Sequence, residues 1–274
     1  MKNFSFVLFV LFLLCPVCVT LGKTLPDQFN NKDVRGWIIL SDDMNAAVRT
    51  IKAAKEYDIN QLQLSHEIIH DLREIKNEKV CAQVNELVNL AHSEGINEVL
   101  LWDHSLYNID YYPERFRTGP GGTIDLDNPE FWEWLKDDYR QMLDRVSEAD
   151  GLVLTFIETG AYAERQFSKK MKSSEEKLAA VVNAISDVLI GERKKKLYIR
   201  TFAYSEEEYK GTTGCIEYLK YDEVILMMKE TPHDFFLTHP DNYYIQKMDR
   251  PVIVEFDLGN EYSGQGVVAN TWPE

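Results

Sequence analysis

The stretch 251–266, PVIVEFDLGNEYSGQG, decides the fold class. Its apolar β-branched and aromatic residues at 252–256 predict a short core strand. That strand runs directly into acids and a glycine turn that contains Glu261 and Tyr262. In a barrel of parallel strands, the residues just past the carboxyl end of each strand face the active site. The stretch therefore predicts a barrel strand that presents a glutamate at this rim.

Six further strand patterns precede this one, and helix patterns alternate with them. The strands are predicted at 34–40, 59–64, 98–103, 150–156, 197–204 and 224–229. Repeated βα units of about 30–40 residues indicate a parallel α/β protein. Because acids stand at the ends of several successive strands, we favour a TIM-barrel-like (β/α)8 fold over an open sheet. Twelve residues follow Tyr262, too few for an eighth strand and its helix, so we expect an incomplete barrel or a fragment.

Capping residues mark three of the predicted helices. Asp43 precedes the first helix, and Asn128 with Pro129 begins the helix that follows a long insertion at 105–127. Ser173 and Glu176 have the spacing of a capping box. The insertion is rich in Tyr, Gly and Pro and is too long for a plain βα connection, so we interpret it as a functional loop or a surface excursion.

The N-terminal residues have the layout of a secretory signal peptide. Lys2 precedes an apolar run at 4–14, and Pro16 then interrupts it. This run is too short and wrongly flanked for a membrane span. We therefore predict a signal peptide at 1–22, a barrel domain at 23–274, and a secreted or periplasmic protein without a membrane span.

The cysteines suggest no disulfide framework. A lipid attached to Cys15 or Cys18 is an alternative to signal cleavage. Cys81 and Cys215 remain after cleavage and are interpreted as buried free thiols, since they are far apart and form no CxxC spacing. No cofactor is predicted. The formal net charge of −15 argues against a nucleic-acid partner, whose phosphates would be repelled.

Polar and aromatic side chains collect at the predicted strand ends. They are His66, Trp102, Asp103, His104, Glu158, Arg200, Tyr204, Lys229, Asp234 and Glu261. Three carboxylates on one rim suit sugar hydrolysis, in which one acid protonates the leaving oxygen and another carboxylate activates water or attacks the sugar. Strand-end acids also serve as helix caps or surface ion pairs, and we assign Glu255 to hydrogen bonding inside the barrel.

Two other interpretations of these residues stay open. His66 and His104 are possible zinc ligands, although no third ligand has a persuasive spacing and no metal is predicted. A metal-dependent hydrolase that uses them with Asp103 stays an alternative. Trp102 and the tyrosines 107, 111 and 112 suit stacking on sugar rings, and they equally suit an ordinary loop core.

The ends of strands four to seven resemble the α-glucuronidases of glycoside hydrolase family 67. The likeness covers 150–266 and lies in four segments. They are DGLVLTFIETG at 150–160, IRTFAY at 199–204, KETPHDF at 229–235 and VEFDLGNEYSGQ at 254–265. The resemblance implies that Glu158 is the catalytic acid, that Asp234 and Glu261 activate water with inversion, and that Arg200 and Lys229 contact the substrate. The family's lysine four residues before the acid is Leu154 here.

These observations lead to a first hypothesis and a runner-up. The first is an exported, α-glucuronidase-like glycoside hydrolase that cleaves a uronic-acid-bearing, xylan-type oligosaccharide by an inverting mechanism. Its partner is thus an acidic oligosaccharide. The runner-up is a catalytically degenerate barrel that binds carbohydrate without cleaving it.

Overall fold

The structure, a computed structural model, describes residues 34–41, 43–203, 205–230 and 241–256. Within these ranges seven parallel strands form one sheet, and each strand pairs with its neighbours in sequence. The strands are β1 Gly36–Ile39, β2 Gln61–Leu64, β3 Glu98–His104, β4 Gly151–Thr155, β5 Lys196–Arg200, β6 Ile225–Lys229 and β7 Val252–Glu255. The sheet curls into an incomplete (β/α) barrel, which confirms the predicted fold class.

Helices connect the strands and cover the convex face of the sheet. They are α1 Met44–Ala54, α2 Glu78–Ser93, α3 Pro129–Arg145, α4 Ser174–Ser186 and α5 Glu206–Gly214. The predicted caps are confirmed: the Asp43 and Asn128 side chains accept hydrogen bonds from first-turn amides. Ser173 and Glu176 form the full capping box, which fixes where α4 begins at the carboxyl edge of the sheet.

The sheet separates two apolar cores because side chains alternate between its faces. The larger core lies between the convex face and the helices and includes Leu101 and Leu154. The smaller core lies on the concave face, where Leu100, Trp102 and Val153 pack with Tyr198 and Met227. This alternation decides which strand-end side chain faces the barrel opening.

The two outer strands of the sheet are β1 and β7. Within the described ranges each pairs on one side only. The end of β7 is open to solvent, with Val254 38% exposed and Phe256 56% exposed. The barrel wall is therefore discontinuous between β7 and β1 in the part of the chain that the structure describes.

The insertion at 105–127 packs as an ordered unit against α3. Tyr112, Phe116 and Ile124 are fully or almost fully buried. The Tyr112 ring meets Phe131 edge to face at 5.9 Å. These contacts favour the loop-core interpretation for the tyrosines of this insertion, and they leave Trp102 as the ring on the concave face.

Several sequence predictions concern thiols and the N-terminus. Cys81 and Cys215 are both free and buried, as predicted. The predicted signal peptide at 1–22 lies outside the described residues. Among the described helices, none has the length and apolar character needed to cross a membrane.

Candidate functional site

Two residues at the rim adopt a backbone conformation that side chains disfavour. Four non-glycine residues have positive φ in the described ranges, and two of them are His66, with φ 50°, and Glu158, with φ 60°. His66 follows β2 and Glu158 follows β4. Non-glycine residues in the left-handed region are uncommon and cluster at functional sites. Both side chains are exposed, so the strained backbone presents them to solvent at the carboxyl edge of the sheet.

A chain of hydrogen bonds along the concave face holds Trp102 in place. The Trp102 indole Nε1 donates to Gln63 Oε1 at 2.9 Å, and Gln63 Nε2 donates to Gln61 Oε1 at 3.0 Å. Gln61 Nε2 donates in turn to Glu98 Oε1 at 2.8 Å, and the Tyr198 hydroxyl donates to the same oxygen at 2.7 Å. These side chains are buried, and each hydrogen bond pairs the donor of one with an acceptor of its neighbour. The chain of hydrogen bonds therefore fixes the indole at the rim.

The charged centre of the site is Arg200, whose guanidinium lies near the Trp102 ring. The Arg200 guanidinium carbon lies 4.8 Å from the centre of the Trp102 ring and 4.7 Å from that of Phe202. Its Nε and Nη2 each donate to a different oxygen of Glu255 at 2.7 Å. Both side chains are 7% exposed. Glu255 therefore bonds inside the barrel, as predicted, and its bidentate bond orients Arg200.

Lys229 adds a second cation next to this pair. It ends β6, where it is level with Glu255 of β7 in the strand register. Its ammonium lies 4.3 Å from the centre of the Phe202 ring, and the residue is 4% exposed. The predicted cations Arg200 and Lys229 are thus brought together around one aromatic ring. Cation–π contacts of this kind strengthen where water is excluded.

The pKa of His66 is shifted by burial and by the charges that surround it at the rim. Its ring lies 5.1 Å from the Trp102 ring. Burial and then the positive charge of Arg200 lower the pKa of His66, while the negative charges of Glu158 and Glu255 oppose that shift. The charges of Glu158, Arg200 and Glu255 are thus near enough to His66 to act on its imidazole. That Glu158 and Arg200 contact one substrate stays a prediction.

Asp103 does not face this space. Its neighbours Trp102 and His104 alternate with it along β3, and Asp103 is fully buried toward the helices. It accepts hydrogen bonds from Arg73 Nη1 at 2.9 Å and from the Tyr139 hydroxyl at 2.6 Å. Arg73 also bonds Asp71. Asp103 thus belongs to a buried charge network behind the sheet rather than to the concave face.

The orientation of Asp103 toward the helices also argues against the metal-dependent hydrolase. Asp103 and the imidazoles of His66 and His104 do not converge, because Asp103 is held by Arg73 and Tyr139. Within the described ranges, no group of three or more His, Cys, Asp or Glu side chains is arranged to hold a metal ion.

The buried network predicts a pH effect on stability. Burial raises the pKa of Asp103 to about 7, so the folded state favours the protonated acid. A raised pKa contributes stability that is present below the unfolded value and is lost as pH rises through the folded value. Above about pH 4, we expect wild type to lose stability relative to Asp103→Asn, by at most about 1.4 kcal/mol per pH unit up to pH 7.

Urea unfolding at pH 5 and pH 8 measures this effect. The free-energy difference, wild type minus Asp103→Asn, should be larger at pH 5 than at pH 8. Asp71 does not contribute in this window: although burial raises its pKa, Arg73 and other donors hold it at about 2. An equal difference at the two pH values would show that Asp103 is ionised throughout.

Leu154 bears on the comparison with the α-glucuronidases. It lies on the convex side of β4 within the larger core and is fully buried. Val153 and Thr155, its neighbours, alternate to the concave side. A cation at position 154 of this chain would therefore lie among apolar side chains behind the sheet. The rim keeps Arg200 and Lys229 irrespective of residue 154.

Three predicted site residues lie outside the described residues. They are Tyr204, Asp234 and Glu261. The separation between Glu158 and the predicted bases therefore stays a prediction, as do the roles given to all three.

A cavity of about 220 Å³ lies between the starts of α4 and α5, next to the rim. Phe156, Leu178 and Thr212 line it, together with Glu164 and Glu208. Burial raises the pKa of Glu164. The turn Ala163–Arg165 packs against α4 and leaves Glu164 half-buried.

Comparisons with known proteins add evidence about the fold. No family model matches the chain, and no curated protein matches it. Among solved structures it is similar to a variant of NCR from Zymomonas mobilis, with a TM-score of 0.50 and 12% identity, over 81% of this chain and 72% of that one. It is also similar to CpGH84B, with a TM-score of 0.46 and 13% identity, over 72% of this chain and 33% of that one.

The likeness to the NCR variant supports the fold alone, because the identity is low. It agrees with the incomplete (β/α) barrel that the strand order defines. The matched region spans a third of CpGH84B. The resemblance to glycoside hydrolase family 67 stays a prediction from the sequence.

Proposed function

We propose that the chain is an exported glycoside hydrolase, α-glucuronidase-like, which acts on a uronic-acid-bearing, xylan-type oligosaccharide by an inverting mechanism. The observation that carries the proposal is the bidentate Arg200–Glu255 pair, with the Arg200 guanidinium near the Trp102 and Phe202 rings and the exposed Glu158 past the end of the adjacent strand β4. Aromatic faces suit sugar rings, and paired charges suit polar substituents on them.

Glu158 is proposed as the general acid. It stands exposed past the end of β4 with its backbone in the left-handed region. A carboxylic acid in this place protonates the leaving oxygen of the glycosidic bond. The resemblance assigns Asp234 and Glu261 to the activation of water, and in an inverting enzyme they would stand ~6.5–9.5 Å from the acid.

Lys229 is proposed as the principal contact for the sugar carboxylate. The bidentate bond to Glu255 already uses Nε and Nη2 of Arg200 and offsets its charge. Lys229 lies beside that pair and brings a further positive charge to the rim. Arg200 then acts mainly as a rigid platform that keeps Glu255 and the two rings in position. Lys229 is thus proposed to meet the sugar carboxylate beside the Arg200–Glu255 pair.

Lys229→Met tests this assignment. We expect kcat/KM on a uronic-acid-bearing xylo-oligosaccharide to fall by about 10- to 100-fold, since a charge-assisted hydrogen bond contributes about 1.5–3 kcal/mol. The neutral oligosaccharide of the same length should change less than threefold. The preference for the acidic substrate is therefore the quantity to measure, by product analysis on both substrates.

Lys229→Arg is the matched control, because it keeps the positive charge and should retain most of the preference. A variant of Arg200 is a poorer test, since it would leave Glu255 buried without its partner. If Lys229→Met lowers activity on both substrates equally, Lys229 has no role in recognising the carboxylate.

A binding-only barrel is the second candidate function. The neutralised charge of Arg200 favours it, because a hydrolase for uronates gains from a guanidinium that is available to substrate. Calorimetry with a uronic-acid-bearing xylo-oligosaccharide, combined with an assay for released sugar over days, separates the two. Binding without any release supports the binding-only barrel and contradicts the hydrolase.

A further inference from the structure

The buried imidazole of His104 lies at the carboxyl end of β3, next to the proposed site. The residue is 2% exposed. Along β3 it alternates onto the same face as Trp102, which belongs to the concave core. Its Nδ1 lies 3.4 Å from Oδ2 of Asp71. Among the described residues neither Nδ1 nor Nε2 makes a hydrogen bond, so the approach of Nδ1 to Asp71 is a charge contact without hydrogen-bond geometry.

Asp71 is held so that it presents an acceptor to His104. The Arg73 backbone amide donates to Asp71 Oδ1 at 2.9 Å. Arg73 Nη1 lies 3.0 Å from Oδ1 and 3.3 Å from Oδ2. Asp71 is fully buried, so these bonds fix its orientation. A neutral imidazole beside a carboxylate carries its proton on the facing nitrogen, here Nδ1, and the lone pair is left on Nε2.

Thr155 places a second orphan group in the same region. It is the register partner of His104 on the adjacent strand β4, and it lies on the concave face two residues after Val153. Its hydroxyl is buried and has no partner among the described residues. Buried polar atoms without partners are rare, and each calls for a ligand, water or ion to satisfy it.

The chemistry of the two groups selects their ligand. Nε2 accepts a hydrogen bond, and the threonine hydroxyl both donates and accepts. A hydroxyl group of a sugar satisfies both at once, since it too donates and accepts. The exposed His70 ring lies 4.5 Å from the His104 ring.

We propose that His104 Nε2 and the Thr155 hydroxyl form a subsite for a glycan hydroxyl, and that Asp71 is the positioning residue that fixes the His104 tautomer. This inference rests on the proposed function for the nature of the ligand. It adds Asp71 and Thr155 to the site. It also names Nε2 as the atom through which His104, a predicted substrate contact, binds.

The ligand half is tested by calorimetry with a uronic-acid-bearing xylotriose. Thr155→Val keeps the shape of the side chain and removes the hydroxyl, and we expect binding to weaken about tenfold, as for a lost buried hydrogen bond. His104→Phe should weaken it at least as much. His92→Phe is the matched control, because His92 also faces an aspartate, Asp150 at 2.9 Å, at the end of α2. It should bind like wild type.

The tautomer half is tested without any ligand, by nitrogen NMR of the histidines at pH 8. We expect His104 to carry its proton on Nδ1 in wild type. In Asp71→Asn the side-chain oxygen of the asparagine should stay hydrogen-bonded to Arg73, so its NH2 group faces His104. Nδ1 of His104 must then accept a hydrogen bond, and the ring proton should move to Nε2. A wild-type spectrum with the proton on Nε2 overturns the role of Asp71, whether or not the variant folds.

The outcomes separate this inference from the proposed function. If wild type binds the oligosaccharide and Thr155→Val and His104→Phe bind it equally well, the subsite is wrong and the proposed function stands. If wild type does not bind it, the proposed function fails and the subsite fails with it.

Discussion

Replacing Glu158 with Gln is expected to lower kcat on a uronic-acid-bearing xylo-oligosaccharide by about 10²- to 10⁴-fold, the usual contribution of a general acid. The amide fills the same space but has no acidic proton to give to the leaving oxygen. An aryl glycoside with a good leaving group needs no such proton, so its rate should fall less than tenfold. Initial rates on the two substrates, compared between wild type and variant, measure the effect.

Glu164→Gln is the control for this experiment. Glu164 is a glutamate of the same edge of the sheet, but it lines the cavity between α4 and α5. Its replacement should leave both rates within about threefold of wild type. An unchanged oligosaccharide rate in Glu158→Gln, or an equal loss on both substrates, would remove Glu158 from the acid role.

Replacing Arg73 with Met is expected to destabilise the fold by about 3–5 kcal/mol, the cost of breaking a buried ion pair by removing one partner. The Arg73 side chain is 2% exposed and bonds both Asp71 and Asp103, whose side chains are fully buried. Methionine fills part of the space but leaves ionised Asp71 without its cation and Asp103, whose pKa burial raises to about 7, without one of its hydrogen-bond donors. Urea unfolding at pH 7, extrapolated to water, measures the loss.

Arg49→Met is the matched control, because Arg49 is 70% exposed and lies 3.8 Å from Asp43 on α1. Exposed pairs contribute ~0–1 kcal/mol, so this variant should stay within about 1 kcal/mol of wild type. A cost for Arg73→Met as small as the control's would mean that Asp71 and Asp103 are neutral or solvated in the folded protein.

The fold was predictable because its signals are local. Apolar strand patterns such as 224–229 and caps such as Asp43 and Ser173 depend on near neighbours, and each is confirmed. The order of the sheet followed from repeated βα units, since crossovers bring sequential parallel strands side by side. The boundaries differ by one or two residues at most ends, as with β4, predicted at 150–156 and observed as Gly151–Thr155.

The site was harder to predict because it depends on which face a residue takes. In β3 every residue is buried, so the apolar pattern does not distinguish the concave from the convex side. Asp103 was therefore assigned to the rim, and only the packing of Arg73 and Tyr139 places it behind the sheet. His104, one residue later, does take the concave side.

Long-range polar contacts were also beyond the sequence. Gln61 and Gln63 gave an ordinary alternating strand pattern, in which polar residues are expected to face water. In a barrel both faces are covered, and these glutamines instead bond Glu98 and Trp102 from a distance of 37 and 39 residues. A pair of glutamines alternating along a strand of a parallel sheet is the signal that could have indicated this chain of hydrogen bonds.

Among the described residues β1 and β7 each pair on one side only, which has a consequence for how the protein behaves in concentrated solution. An unpaired strand edge is a template on which a second copy can add its own edge. With a net charge of −15, copies repel one another in dilute buffer, and dissolved ions weaken that repulsion. Colloidal stability should therefore decline as ionic strength rises, which makes low-salt storage the better choice for this chain.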